Sequence, residues 1–258
     1  MAVRTLVAVR AVGLVLAGLG AGPLAAEPLV AGDFIFNGGF EASTFISTVQ
    51  QDEVGYGGKS VIIDNVRVTA VKSTSGAYTL FLQDSMSSPQ YSAIRVFVSG
   101  ADAPTFNDLA LTAIGDCVSI TGTVGEFMGA TELAPVTGFV RKASAACGPQ
   151  VVPVAFADFS ALASDLDVVT AGFQPGLMAE QYEGVLVQLQ NVKVKSGNDG
   201  AGVFPVAAGD QSQPLMAIDK EFFLHTAIVG ETFSSLTGVV EQRTNYYLEP
   251  RGAGDLVQ

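Results

Sequence analysis

The chain has no tryptophan, one histidine, two cysteines and only 13 lysines and arginines against 25 acidic residues. Each scarcity excludes something. A zinc site needs several His or Cys ligands, and this inventory cannot fill one while the two cysteines are paired. A His-based catalytic triad would have to use His225, and no Gly-x-Ser-x-Gly elbow precedes a helix. No Gly-x-x-x-x-Gly-Lys cradle for phosphates occurs. The formal net charge is −12. Affinity for polyanions comes mainly from Lys and Arg neutralising phosphates, so this surface repels them on average, and only a local basic groove would do otherwise. The residues therefore name no catalytic group, no metal site and no cofactor.

What is present begins with an N-terminal export signal over 1–26. Arg4 and Arg10 form its basic start, Ala11 to Gly22 its apolar run, and Ala25-Ala26 a small-residue cleavage site before Glu27. Twelve helical residues span about 18 Å, short of the roughly 30 Å hydrocarbon core. No later apolar run reaches spanning length. The expected product is thus secreted or periplasmic, with no membrane span once the signal is gone. Cleavage would leave 11 basic side chains against 25 acidic ones, a charge of −14. Cys117 and Cys147 suit an oxidising compartment. Cys117 opens a strand and Cys147 follows its partner strand, so a structural disulfide is expected. A redox pair would want Cys-x-x-Cys spacing, which is absent.

Residues 27–59 show little periodicity and are expected to form a flexible leader. From Lys59 the hydrophobic period becomes two, the mark of half-buried strands. Val61 and Ile63, then Val66, Val68 and Ala70, alternate with polar neighbours, with a slip at Asp64-Asn65 that predicts a bulge. Tyr78, Leu80 and Leu82 form the next inward row, and Ile94, Val96 and Val98 the third. A helical turn is expected near Asn107 to Leu111. Strands follow over Cys117 to Val124 and Thr131 to Lys142, the latter interrupted by Pro135. Five strands with little helix predict a small Greek-key barrel over 60–142.

Residues 143–181 read as a connection, with a strand over Val151 to Phe156 and a short helix over Asp158 to Leu166. A second barrel is expected over 182–258, because its segments repeat those of the first. Gln190-Asn191-Val192-Lys193-Val194 answers Asp64-Asn65-Val66-Arg67-Val68, and Leu236-Thr237-Gly238-Val239 answers Ile120-Thr121-Gly122-Thr123. A repeat of this length is two copies of one domain, not a solenoid. Asn198-Asp199-Gly200 predicts a tight turn, and Pro205 demotes its strand to an edge. The expected fold class is all-β, two tandem barrels joined by a short, partly helical connection.

Three segments of the first copy carry a family resemblance: Val66 to Val71, Phe81-Leu82-Gln83-Asp84, and Gly115 to Val124 with the tail Glu126 to Leu133. They resemble the OB-fold domains of secreted bacterial endonucleases. Tyr182 to Val187, Leu236-Thr237-Gly238 and Leu248-Glu249-Pro250-Arg251 look like the same family in the second copy. The second copy departs from the first at Val203-Phe204-Pro205-Val206, where Phe81-Leu82-Gln83-Asp84 would stand, so distorted central strands are expected. The catalytic domain of those nucleases has no counterpart here, and nuclease activity is not expected. Asp33 to Glu41 looks like an Ile-Phe-x-x-Gly-Phe-Glu motif of some secreted Gram-negative proteins, which points to the same compartment.

OB folds commonly bind oligonucleotides and oligosaccharides on the face of their second and third strands. With Tyr78, Leu80 and Leu82 inward, Phe81 lies outside, beside Arg95 and Phe97 of the next strand. Two aromatics and an Arg could stack bases or sugar rings, with Arg67 and Lys72 adding charge. The alternative is that Phe81 and Phe97 pack against the connection or the second barrel, since 48% of the chain is hydrophobic. His225, in the apolar stretch Phe222 to Val229, reads as a packed or hydrogen-bonded residue. Asp165 and Asp167 read as a solvated face. The expected function is a non-catalytic binding module for nucleic acid or oligosaccharide. A cell-envelope adapter that docks a protein is the alternative.

Overall fold

The computed structural model describes residues 43–84, 89–142, 147, 151–158, 178–209, 215–243 and 245–258. The export signal, the Asp33 to Glu41 motif, nearly all of the connection helix and the Asp165/Asp167 pair lie outside the described residues.

Strand β1 (Ser60–Thr74) pairs with β2 (Ala77–Gln83), β2 with β3 (Ala93–Val98), β3 with β5 (Ala130–Lys142), and β5 with β4 (Cys117–Phe127). Antiparallel pairing of β4 with β1 closes the barrel. The β3–β5 pair is parallel, through Arg95↔Glu132 and Val96↔Leu133. Strand order 1-2-3-5-4 with one parallel pair is the OB topology. A short strand β6 (Val152–Pro153) leads to the second copy. There β7 (Leu186–Val194), β8 (Phe204–Ala208), β9 (Leu215–Ile218), β11 (Asn245–Glu249) and β10 (Thr232–Arg243) run in the same order, closed by β10–β7. The matching parallel pair is β9–β11. A last strand, β12 (Leu256–Val257), adds to β10, and β6 lies parallel to the start of β7.

Alternation decides which residues fill each barrel. Val61, Ile63, Val66, Val68, Leu80, Leu82, Ile94, Val96 and Val98 form the first core. Val185, Val187, Leu189, Val192, Val194 and Phe204 belong to the second. The register slips between Ile63 and Val66. Asn65 there takes φ 55°, and its repeat-mate Asn191 takes φ 54°. Asn tolerates this left-handed region better than most residues, which explains why both copies carry Asn at that point.

Three expectations need correction. A second slip between Val68 and Ala70 flips the remainder of β1, because a one-residue shift moves side chains to the opposite face. Ala70 therefore leaves the inner row and joins an outer cluster with Phe81, Leu186 and Val239. Pro205 is no edge residue, since β8 pairs with both β7 and β9. It is tolerated at the second position of its strand, where the β7 register ends at Val194↔Val206 and its carbonyl still accepts from Lys195 N at 2.9 Å. In the expected leader, α1 (Ile46–Gln50) and α2 (Glu53–Tyr56) form, and Ile46 and Val49 are buried in the first core.

The turns follow their chemistry. Ser75-Gly76 and Met128-Gly129 both have positive φ at the two central positions, the type I′ pattern that suits strand twist. Asp199 Oδ1 accepts from Ala201 N and Val203 N, closing the Asn198-Asp199-Gly200 turn. The expected turn near Asn107 to Leu111 is a single 3-10 turn over Leu109–Leu111. Cys117 and Cys147 form a disulfide.

Candidate ligand-binding cleft and the face between the barrels

Residues 41–258 form one compact unit that contains both barrels, and the face expected to bind a ligand is where they meet. Phe81 is 1% exposed. It packs with Ala70, Leu186 and Val239 and makes an edge-to-face contact with Phe222 at a ring-centroid distance of 6.0 Å. Polar contacts fix the register of the two barrels. Gln83 Oε1 accepts from Leu186 N at 3.1 Å, and Arg251 Nη1 donates to Thr69 O at 3.1 Å. Gly184 approaches so closely that a Cβ there would sit 3.1 Å from the Ala93 Cβ, and its φ is +72°. Only glycine takes that conformation without strain.

Arg95 is also buried. It is ion-paired with Glu132, and with Glu241 at 3.4 Å. Its guanidinium lies 4.6 Å from the Phe127 ring centroid and 6.0 Å from that of Phe97. Burial pulls its pKa below the ordinary arginine value, against the pull of Glu241. Beside it, Arg243 pairs with Asp219 and Glu249, and with Glu241 at 3.0 Å. Burial lowers the Arg243 pKa, but Glu249, Glu241, Asp219 and Glu221 outweigh it and hold it above the usual value. Lys72 donates to Glu221 O at 2.6 Å and pairs with its carboxylate at 3.0 Å. Breaking one member of such a buried network costs more than the pair contributes, because a charge is left stranded.

The five expected site residues thus part company. Phe81, Arg95 and Lys72 are committed to the inter-barrel contact. Phe97 lies half-buried at its rim. Arg67 stands apart from all of them, lining a cleft of about 300 Å³ with Thr69, Ile114, Val151, Leu186 and Arg251. This volume is at the lower end of small-ligand pockets. The disulfide positions Arg67: Cys117 pairs with Arg67 across β1–β4, and Arg67 Nε donates to Cys147 O at 2.9 Å. Among the described residues Arg67 has no carboxylate partner. Arg251, in contrast, is held in a fork by Asp255 through Nε at 2.8 Å and Nη2 at 2.7 Å. The cleft is thus lined by one guanidinium without a carboxylate partner among the described residues, one structural guanidinium and an apolar wall.

Arg251 was not among the expected site residues, although it closes the Leu248-Glu249-Pro250-Arg251 segment of the family resemblance. His225 is hydrogen-bonded to Glu231 at 2.9 Å and packs between Phe204 and Phe233 at 5.7 and 5.6 Å.

No protein-family model matches the chain, and no curated protein matches it. Solved structures similar to it include asparaginyl-tRNA synthetase from Pyrococcus horikoshii complexed with asparaginyl-adenylate. That likeness is 16% identical over 38% of this chain and 22% of that one, with a TM-score of 0.31. The S. pombe Stn1-ten1 complex is 19% identical over 32% of this chain and 57% of that chain, at a TM-score of 0.27. The p204 HINb domain is 11% identical over 75% of this chain and 92% of its own, at 0.30. This chain spans about a fifth of the synthetase (22%). The OB architecture is read from the strand order of the chain itself.

Proposed function

We propose that this protein is an exported, non-catalytic binding module that takes an anionic segment of an oligomeric ligand into the cleft between its two barrels. One observation carries this reading: Arg67 is anchored through Nε by a disulfide-fixed carbonyl, faces the cleft, and has no carboxylate partner among the described residues. A guanidinium held in this way meets phosphate or carboxylate in a fork, at low entropic cost. Ile114, Val151 and Leu186 supply an apolar wall for the body of the ligand. Single-stranded nucleic acid fits this pattern. The −12 charge of the chain restricts contact to a short segment, because the surrounding surface repels a long polyanion.

Export is supported by the Arg4/Arg10 signal pattern and by the disulfide, which persists in oxidising compartments. No helix among the described residues is long and apolar enough to cross a membrane. The test is a low-salt titration of the mature protein with short single-stranded DNA and, separately, with neutral oligosaccharides. Binding of DNA that Arg67→Ala weakens by about 1–3 kcal/mol, the worth of a charge-assisted hydrogen-bonded pair, supports the reading. Binding of neither class removes it.

A second reading has its own observation. Leu224, Ile228 and Val229 stand 61%, 67% and 67% exposed on the stretch before β10. Apolar side chains grouped at a surface mark docking sites in many proteins, which favours an envelope adapter. A reproducible protein partner lost in Ile228→Asp would support that reading.

A further inference from the structure

Among the described residues, three arginines at the barrel contact are held by carboxylates, and they differ in what covers the face of the guanidinium. Arg95, held by Glu132 and Glu241, carries the Phe127 ring at 4.6 Å. Arg243, held by Asp219, Glu241 and Glu249, carries the Tyr247 ring at 5.2 Å. A ring so placed is attracted by the charge above it, and more strongly where water is displaced. Over Arg251 no such ring lies among the described residues. Two clefts adjoin it instead: the Arg67 cleft, and a second of about 230 Å³ that it bounds with Ile114, Gly252, Gly254 and Asp255.

The plane of Arg251 is fixed by the protein itself. Of the five N–H groups of a guanidinium, Nε and Nη2 give one each to the two oxygens of Asp255, at 2.8 and 2.7 Å, and Nη1 gives one to Thr69 O at 3.1 Å. The Arg251 backbone N also donates to Asp255 Oδ2 at 2.8 Å, so one carboxylate ties side chain and loop together. Fork hydrogen bonds lie in the guanidinium plane and leave its faces unused. Asp255 also balances the charge, which makes Arg251 a poor anchor for phosphate and leaves that part to Arg67. The second cleft is bare for a reason the fold does not supply. At Gly252 the backbone is extended, with φ 178°, a conformation open to any residue. A Cβ at Gly252 or Gly254 would meet nothing within 4 Å. The side chains missing from both positions keep the space beside Arg251 open.

We propose that this second cleft is a ring-stacking subsite: a nucleobase of the bound strand lies on the face of Arg251, beside Ile114 and over the bare Gly252–Gly254 backbone, while its phosphate meets Arg67. The inference rests on the reading of the Arg67 cleft as an anion site and adds the class of ligand to it. A planar unsaturated ring gains from a guanidinium face, as unstacked bases do on arginine planes, whereas a saturated sugar ring offers no π-face. Ile114 and Arg251 form a wall common to both clefts, so a phosphate and the base next to it occupy them together. At about 230 Å³ the second cleft is below the small-ligand range and holds one base, not a stack of them.

The test is a low-salt titration of the full mature chain with two strands of equal length and charge: an oligothymidylate, and the same phosphodiester chain with every base absent. The native protein should bind the base-bearing strand about three- to thirtyfold more tightly, the span of one cation–π contact from exposed to desolvated. Gly252→Val, which fills the cleft and leaves the fork between Arg251 and Asp255 in place, should bring the ratio to near one. Arg251→Lys, which keeps a charge for Asp255 but loses the planar face, should do the same, and Gly252→Val stands in if it fails to fold. Arg67→Ala should weaken both strands and keep their ratio. Equal binding of the two strands by the native chain, or a preference that survives in Gly252→Val, overturns the stacking subsite while the anion site at Arg67 stands. Binding of neither strand removes both.

Discussion

Truncation of Phe81 to alanine separates two roles for the same ring. If the ring belongs to the barrel contact, its removal leaves a hole bounded by Ala70, Leu186, Val239 and Phe222. Phe→Ala at buried positions costs about 3–5 kcal/mol, from lost transfer energy and the unfilled cavity. The site lies between barrels instead of inside one and can relax by a small approach of the two, so the lower end, about 3 kcal/mol, is expected. Phe81→Leu fills most of the volume and should cost about half as much. The assay is equilibrium denaturation in urea followed by tyrosine fluorescence and far-ultraviolet circular dichroism, since the chain has six tyrosines and no tryptophan. Loss of the contact should also split one cooperative transition into two, because each barrel has its own core. A Phe81→Ala protein destabilised by less than about 0.5 kcal/mol, the size of an ordinary surface change, would refute the burial argument. Weakened DNA binding in that same protein would return Phe81 to the role of a ligand contact.

Three further outcomes follow from the same structure. Replacing both Cys117 and Cys147 with serine removes a crosslink of 30 residues' separation. It should cost roughly 3–4 kcal/mol by loop entropy and also weaken DNA binding, because the Cys147 carbonyl that anchors Arg67 is released. Gly238→Ala places a Cβ 2.7 Å from Glu249 O, where the backbone cannot yield. A loss of about 1–3 kcal/mol should appear in the melting temperature, whereas Gly122→Ala, whose Cβ would meet the Leu133 Cβ at 3.3 Å, should lose less. Arg67→Ala should leave the melting temperature within about 2 °C, since its hydrogen bond to Cys147 O is only part-buried. A larger drop would mark Arg67 as structural.

Much of this fold could be read from alternation alone. Leu80 and Leu82, or Ile94, Val96 and Val98, point inward because every second residue is apolar and the intervening ones are not. The slip at Asn65 was legible too, since Asn is a residue that accepts positive φ. The slip at Thr69-Ala70 carries no such residue, so alternation alone puts Ala70 on the wrong face. The short helix at Ile46–Gln50 offers only Ile46 and Val49 as an apolar face, too little periodicity to distinguish it from a loop.

The candidate site was legible by halves. The outward placement of Phe81 and Arg95 follows from strand period, and it is what the structure has. What covers them does not follow, because Leu186, Phe222, Val239 and Glu241 come from more than a hundred residues away in the sequence. Nor does a sequence distinguish the buried Glu183 from a solvated glutamate: the local Glu-x-x-Glu spacing of Glu180 and Glu183 also suits an exposed turn. Only the joining of the two barrels shows that Glu183 is buried and accepts from Thr131 N and Gln50 Nε2.

The central claim is that the second barrel covers the outer strand face of the first and leaves the Arg67 cleft as the place where a ligand enters. Titration of isotope-labelled protein with a short single-stranded DNA, followed residue by residue by nuclear magnetic resonance, addresses it directly. Shifts confined to Arg67, Thr69, Ile114, Leu186 and Arg251 are predicted, with Phe81 and Arg95 unmoved. Shifts centred on Phe81, Arg95 and Phe97 would contradict it.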